Sequence, residues 1–292
     1  LRNQQQEPII ASNLQQGHHL LRTMNPQSTL ESTLQKTPVR PNFPGILAGI
    51  WKLTWKSQLT WKKIYNVLAN ILVLPVLSYF SFSFGDDSDA FLRFLIDFYM
   101  LLALPLICLT AFGGMVRDEL QEDTVCFLLT RPMKRWQFFL SKYLSHLVWT
   151  QIIGTLTLLA FAVAGTLRGV DDTPMLVFSA LKVQFLAIMA YGAISSLLGL
   201  ATKKYLVLGL IYGFVVEFGI GQIPTNINTL AMTNHLKSLM ARYQPLAEHM
   251  DYDPGHMLTA LAALVITTSV FLVLSSVLFT LREYNHSDEM SK

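Results

Sequence analysis

The sequence predicts an all-α, polytopic membrane protein: six transmembrane helices preceded by an N-terminal amphipathic helix lying in the membrane interface. Three observations predict it. Hydrophobic residues make up 52% of the 292 residues and charged residues only 14%, a balance that does not suit a soluble domain. The apolar residues gather in blocks, each long enough to cross a hydrocarbon core of about 30 Å at about 1.5 Å per helical residue. The basic residues then fall mainly on alternate connections.

Residues 1–44 are rich in Gln, Asn, Ser, Thr and Pro, with too little clustered apolar surface to fold alone and no apolar core of the signal-peptide kind. They read as a disordered polar tail, with His18 and His19 part of it. Residues 45–284 form the transmembrane domain and 285–292 a short cytoplasmic tail. At its start Leu47, Trp51, Trp55 and Leu59 recur at helical spacing, while Lys52, Lys56, Lys62 and Lys63 supply charge. Aromatic rings at headgroup depth and ammonium groups reaching phosphates are what an interfacial helix needs, so Trp51, Trp55, Lys52 and Lys56 are its expected anchors.

The six spans run approximately over 67–84, 91–116, 138–167, 175–200, 206–223 and 257–281. Helices are required, because a lipid-exposed chain must satisfy its backbone internally and the blocks lack the alternation of barrel strands. Pro75 and Pro105 fall inside spans and are expected to kink them. Gly45 with Gly49, and Gly209 with Gly213, have the GxxxG spacing of close helix packing. Between the last two spans, Met232, Leu236, Leu239, Met240 and Tyr243 mark one apolar face of a short helix on the outer side.

Orientation follows from charge. One set of connections carries Lys52, Lys56, Lys62, Lys63, Arg117, Arg131, Lys134, Arg135, Lys203, Lys204, Arg282 and Lys292; the other carries only Arg93, Arg168, Lys237 and Arg242. Twelve against four puts both termini in the cytoplasm. The net charge of +3 gives no ground for a nucleic-acid partner.

The cytoplasmic connection between the second and third spans, Arg117 to Trp136, carries the functional argument. Its first half reads as an amphipathic helix with Leu120, Thr124, Phe127 and Leu128 on one face and acidic residues at its start, where the helix dipole favours them. Pro132 stops it, and Lys134, Arg135 and Trp136 mark re-entry into the bilayer. The segment is a stiff elbow fixed to two spans, so force applied to it moves them.

Here the sequence resembles the ABC-2 family of transporter permeases. The matching pattern, an acid-rich helix, then Leu-Leu-x-x-Pro, basic residues and a Lys in the next span, is carried by Glu119, Thr124, Leu128, Leu129, Pro132, Arg135 and Lys142. One departure is Asp123, where the family commonly has Gly. The resemblance covers about 46–284 and implies a function: the permease subunit of an ABC transporter, an exporter in a prokaryotic cytoplasmic membrane. It implies a second permease subunit, alike or related, and an ATPase subunit on the cytoplasmic face. That ATPase would receive the elbow through Glu119, Thr124, Phe127, Leu128, Leu129, Pro132 and Arg135. ATP and Mg would bind the partner, leaving this chain with no cofactor and no catalytic residue.

The motifs agree with that division of labour. No GxxxxGK[ST], Gly-x-Ser-x-Gly or HExxH occurs. Cys108 and Cys126 match no metal or redox spacing and read as free thiols. His249, Asp251, Asp253 and His256 describe either a metal site or a polar turn around Pro254 and Gly255.

Two ionisable residues lie inside spans, Lys182 in the fourth and Glu217 in the fifth, with backbones about 10 Å apart in depth. Glu217 faces either the translocation pathway, a subunit interface or a structural polar partner. Arg93 and Asp97, four apart, read as a local ion pair. Two alternatives stand beside the permease: a non-transporting scaffold or regulatory subunit that uses the elbow, and an ion-coupled carrier working through Lys182 and Glu217.

Overall fold

The computed structural model describes residues 43–81, 87–115, 134–222, 226–252 and 255–281. The chain divides into two units, residues 1–46 and 47–292, and of the first only the opening turn of one helix is described. Among the described residues every regular element is helical, as backbone groups facing lipid require.

The opening helix, α1 (Phe43–Gln58), breaks at Leu59 and Thr60 and is followed by α2 (Trp61–Ser81). The next apolar block starts as α3 (Asp87–Leu92), widens into a π-helical stretch (Arg93–Ala103) and closes as α4 (Leu104–Gly113). Pro105 stands in the first turn of α4. It has no N–H to give, and the wider stretch before it, in which the Leu104 N–H bonds back to Tyr99 O, shifts the pairing just ahead of the ring. Pro75, by contrast, lies inside α2.

Next comes α5 (Arg135–Leu167), which ends where Gly169 adopts a φ of +71° that a side chain would resist, while Val170 N donates to Gly165 O at 3.1 Å. α6 (Thr173–Ala201) follows, then α7 (Tyr205–Tyr212), which widens into a second π-helical stretch (Gly213–Gly219) and a 3₁₀ turn (Ile220–Gln222). Beyond a 3₁₀ turn (Asn226–Leu230) lie α8 (Met232–Met240), α9 (Gln244–Met250) and α10 (Met257–Leu281).

Among the described residues four helices are long and apolar enough to cross a membrane: Ser88–Gly113, Arg135–Leu167, Thr173–Ala201 and Met257–Leu281. Two further apolar stretches, Val67–Phe80 and Tyr205–Gly219, fall short of that length. Their positions match the first and fifth blocks in the sequence.

α6 is the hub: α4, α5, α7, α8 and α10 all pack against it. Its buried residues include Ala180, Ala187, Ala190, Gly192 and Ala193, small enough to admit neighbouring backbones closely. The tightest approach is at the elbow end of the bundle. There a Cβ on Gly199 would overlap the Gly113 carbonyl oxygen and lie 2.7 Å from its carbon, so α4 and α6 touch backbone to backbone. Of the GxxxG glycines only Gly209 is close-packed, its Cβ position 2.9 Å from Leu109 Cγ; Gly45, Gly49 and Gly213 have nothing within 4 Å.

With lipid outside, polar groups turn inward. Tyr99 OH donates to Gln184 Oε1 at 2.7 Å, Tyr143 OH to Met189 O at 2.7 Å, and Ser196 and Ser275 hydroxyls meet at 3.3 Å. At the other end Arg168 clamps α2, donating from Nη2 to Tyr79 O at 2.6 Å with its guanidinium 4.4 Å from the Tyr79 ring centroid. Cys108 is a buried free thiol; Cys126 lies outside the described residues.

Candidate functional site

Of the elbow residues, Glu119, Thr124, Phe127, Leu128, Leu129 and Pro132 lie outside the described residues. Both ends of the elbow are described. Met115, the last described residue before the gap, is 2% exposed, and Lys134, the first after it, donates its backbone N–H to Gln137 Oε1 at 3.2 Å and so caps α5. Arg135 Nη1 donates to Thr280 O at 3.2 Å. That carbonyl is in the last turn of α10, where helical carbonyls lack intrahelical partners and the dipole is negative, so the guanidinium caps a second helix.

Phe138 and Phe139 continue the contact, their rings 6.0 and 6.1 Å from Phe279. One turn on, Lys142 is buried, and its carbonyl sits 3.0 Å from His146 Nδ1. That nitrogen must donate, which leaves Nε2 as the acceptor for Gln58 Nε2 at 3.2 Å. The end of α1 is thereby fixed to α5 just past the elbow.

The anchor residues of α1 divide between two faces. Lys52 and Lys56 are exposed and Trp51 is half-buried. Trp55 turns toward the bundle: its ring lies 5.8 Å from that of Trp149 and its Nε1 is buried. Leu59 falls in the break and is exposed, so the expected stripe ends one turn early. Trp61, 74% exposed at the start of α2, is the outward-facing indole.

Glu217 lies in the second π-helical stretch and is 3% exposed. Its Oε1 accepts from Tyr212 OH at 2.7 Å and Met232 N at 3.4 Å; its Oε2 accepts from Thr233 Oγ1 at 2.5 Å, Thr233 N at 2.8 Å and Tyr191 OH at 3.4 Å. Met232 and Thr233 open α8. The carboxylate therefore sits on a helix N-terminus, where free N–H groups and the positive end of the dipole favour an anion. Five donors satisfy it without a cation. Lys182 is not among them: it is exposed, with its ammonium 4.2 Å from the Phe178 ring centroid.

Beside Glu217 a cleft of about 80 Å³ opens between the second, fourth and fifth apolar blocks. Leu101, Pro105, Leu109 and Phe214 line its apolar walls, and Tyr191, Tyr212 and Glu217 its polar end.

On the far side from the elbow, His249 of α9 is inserted between two carboxylates. Its Nδ1 is 3.0 Å from Asp89 Oδ1 and its Nε2 is 3.7 Å from Asp97 Oδ2, with its side chain 9% exposed. Opposite ring nitrogens face the two acids, so they cannot converge on one ion, and among the described residues no group of three His, Cys, Asp or Glu is placed to hold a metal. Arg93 pairs with Asp89 at 2.9 Å, one turn back, rather than with Asp97. The expected i,i+4 pairing assumed 3.6 residues per turn; in the π-helical stretch that begins at Arg93 the wider turn carries Asp97 round to His249. Nearby, the Tyr243 phenol is held above its ordinary value of 10.0 by partial burial first, then by the Asp172 carboxylate to which it donates.

The sequence marked Glu217 but none of its donors, and marked His249 with the wrong partners. Of the donors, Tyr212 lies five residues before Glu217 and Thr233 sixteen after it. Neither spacing belongs to a helical face.

Residues 56–220, more than half of the chain, match a family model described as ABC-2 family transporter protein. The match spans the elbow and the α4, α5 and α6 helices that meet around it. No curated protein matches the chain.

Proposed function

This chain belongs to the ABC-2 family of transporter proteins, and from that premise we propose that it is the membrane-embedded permease subunit of an ATP-driven exporter, worked by a separate ATPase through the elbow at 117–136. As an ABC-2 permease it is a transport component with apolar helices long enough to cross a membrane more than once. The finer reading has six spans. Tyr205–Gly219 is the fifth, lengthened by the turn Ile220–Gln222, and α2 is the first. Both termini lie on the elbow side, in the cytoplasm, as the distribution of Lys and Arg supports, and the membrane is the cytoplasmic membrane of a prokaryote.

The observation that carries the proposal is how the elbow is seated. Its entry is welded to α6 by the Gly113–Gly199 contact, its exit is tied to α10 through Arg135 and Thr280, and α1 is held alongside by Gln58 and His146. A push on the elbow is thus delivered to α4, α5, α6 and α10 together. Nucleotide-driven closure of a partner ATPase dimer need favour one arrangement of these rods by only a few kcal/mol to shift their population. Glu119, Thr124, Phe127, Leu128, Leu129 and Pro132 would form the docking face, and a second permease subunit would complete the pathway. Trp51, Lys52 and Lys56 would hold α1 at the headgroups, with Trp61 added to that set.

The ion-coupled carrier is less well supported. Lys182 and Glu217 do not meet, and the Glu217 acceptors are engaged by neutral donors. The experiment is co-purification with a nucleotide-binding subunit from the same organism. Retention by wild type, loss in Leu128→Asp and Leu129→Asp, and ATP turnover stimulated in the reconstituted complex are expected. Full retention by both variants would remove the elbow as the docking face.

A further inference from the structure

We infer that residues 226–250 form a strap over the outer end of the bundle with one fixed and one releasable end: α8 is the hinge, pinned by Glu217, and α9 swings clear when His249 leaves Asp89 and Asp97. The two ends are held by different physics. At α8 the carboxylate, its five donors and the helix N-terminus are buried together. The helix also buries Met232, Thr233, Leu236, Ser238 and Met240 and packs on α6 and α10. Little of this is open to ions or water, so screening barely reaches it.

At α9 the helix is seven residues long and buries only Leu246. Besides Tyr243 at its start, which faces Asp172, it is held by His249 against Asp89 and Asp97, whose side chains are 46% and 59% exposed, with Arg93 sharing Asp89. The other charged groups around it are engaged elsewhere: Glu248 accepts from Gln244 Nε2 at 2.8 Å, and Arg242 donates to Gly255 O at 2.9 Å. The two carboxylates face water while the His249 ring does not, so any charge on His249 meets them at a boundary that salt screens. Between the ends the chain turns at Ala241 and Arg242, and Tyr252 OH, bonded to Asn234 Oδ1 at 2.8 Å, ties the far side of α9 back to α8. Motion is therefore concentrated in α9, and Leu246 gives it a seat to return to.

The strap stands on geometry alone and does not depend on the transport reading. Hydrogen–deuterium exchange on the full chain in lipid nanodiscs tests it, at low salt and at about 1 M NaCl, where the screening length falls to about 3 Å. Exchange in 244–250 is expected to rise about two- to fivefold with salt while 232–240 stays unchanged, the size a pair of exposed ion contacts allows. His249→Ala should reproduce the rise at low salt. Glu217→Leu, or Thr233→Val if the former does not fold, should loosen 232–240 as well. A joint rise in both helices with salt makes the strap one rigid body and overturns the inference. So does salt-insensitive exchange in 244–250, or an unchanged 232–240 in the Glu217 and Thr233 variants.

Discussion

Replacing Gly199 by Ala tests the mechanical core of this protein with a single methyl group. The added Cβ would overlap the Gly113 carbonyl oxygen and lie 2.7 Å from its carbon, where ordinary contact begins near 3.4 Å. Both are backbone atoms and cannot rotate away, so α4 and α6 must part by at least about 0.7 Å along a packed face, against interiors that tolerate little added volume. Overpacking of this kind costs about 1–3 kcal/mol, which lowers Tm by about 2–4 °C per kcal/mol on the scaling of soluble domains.

A reporter is already in place. Cys108 is fully buried in α4, so a thiol-reactive fluorophore labels it only on unfolding, once Cys126 has been changed to Ser. Gly213→Ala, whose Cβ meets nothing within 4 Å, is the matched control and should leave Tm within about a degree. In complex with the ATPase, Gly199→Ala should also lower stimulated turnover, because the parted helices are those that receive the elbow. An unchanged Tm in Gly199→Ala, or an equal fall in the control, would refute the backbone-to-backbone contact and the force path built on it.

Two further outcomes follow from the same geometry. Arg135→Gln removes the donor to Thr280 O and should cost about 0.5–1.5 kcal/mol in the thiol assay, with a larger loss of ATPase stimulation than of partner binding; equal losses would make Arg135 a docking residue only. Gly154→Ala places a methyl 2.7 Å from Gln184 Nε2 and should displace the amide from Tyr99 OH. A lowered Tm, relieved in Gly154→Ala combined with Gln184→Ala, checks it.

The long helices were legible because apolar length is the strongest signal a membrane chain carries. Met257–Leu281 falls where its apolar block does, and Arg135–Leu167 begins three residues before its own because Gln137 caps it. What the sequence hid was local winding. The two π-helical stretches have the same composition as α-helix around them, so periodicity could not reveal that Arg93 would meet Asp89 or that Asp97 would turn toward His249. The site was half legible for a related reason. A buried carboxylate announces itself as a cost, whereas the hydroxyls and N–H groups that offset it come from Tyr191, Tyr212 and Thr233, on three different elements. The Trp55–Trp149 contact was not legible because an aromatic near a span suits both the headgroups and a partner ring. α9 was missed because seven residues opening on Gln244 and Pro245 offer too little periodicity.

A π turn holds one residue more than its α-helical counterpart, and that surplus has a use. If Gly213–Gly219 were to pass it along the chain, each side chain between the old and new positions of the bulge would rotate by about 100° about the helix axis. Glu217 would swing off the mouth of α8, and Tyr212 and Phe214 would reshape the cleft they border. The Tyr205–Gly219 helix would then show its neighbours a different face without breaking, tilting or sliding, as a key turns in place.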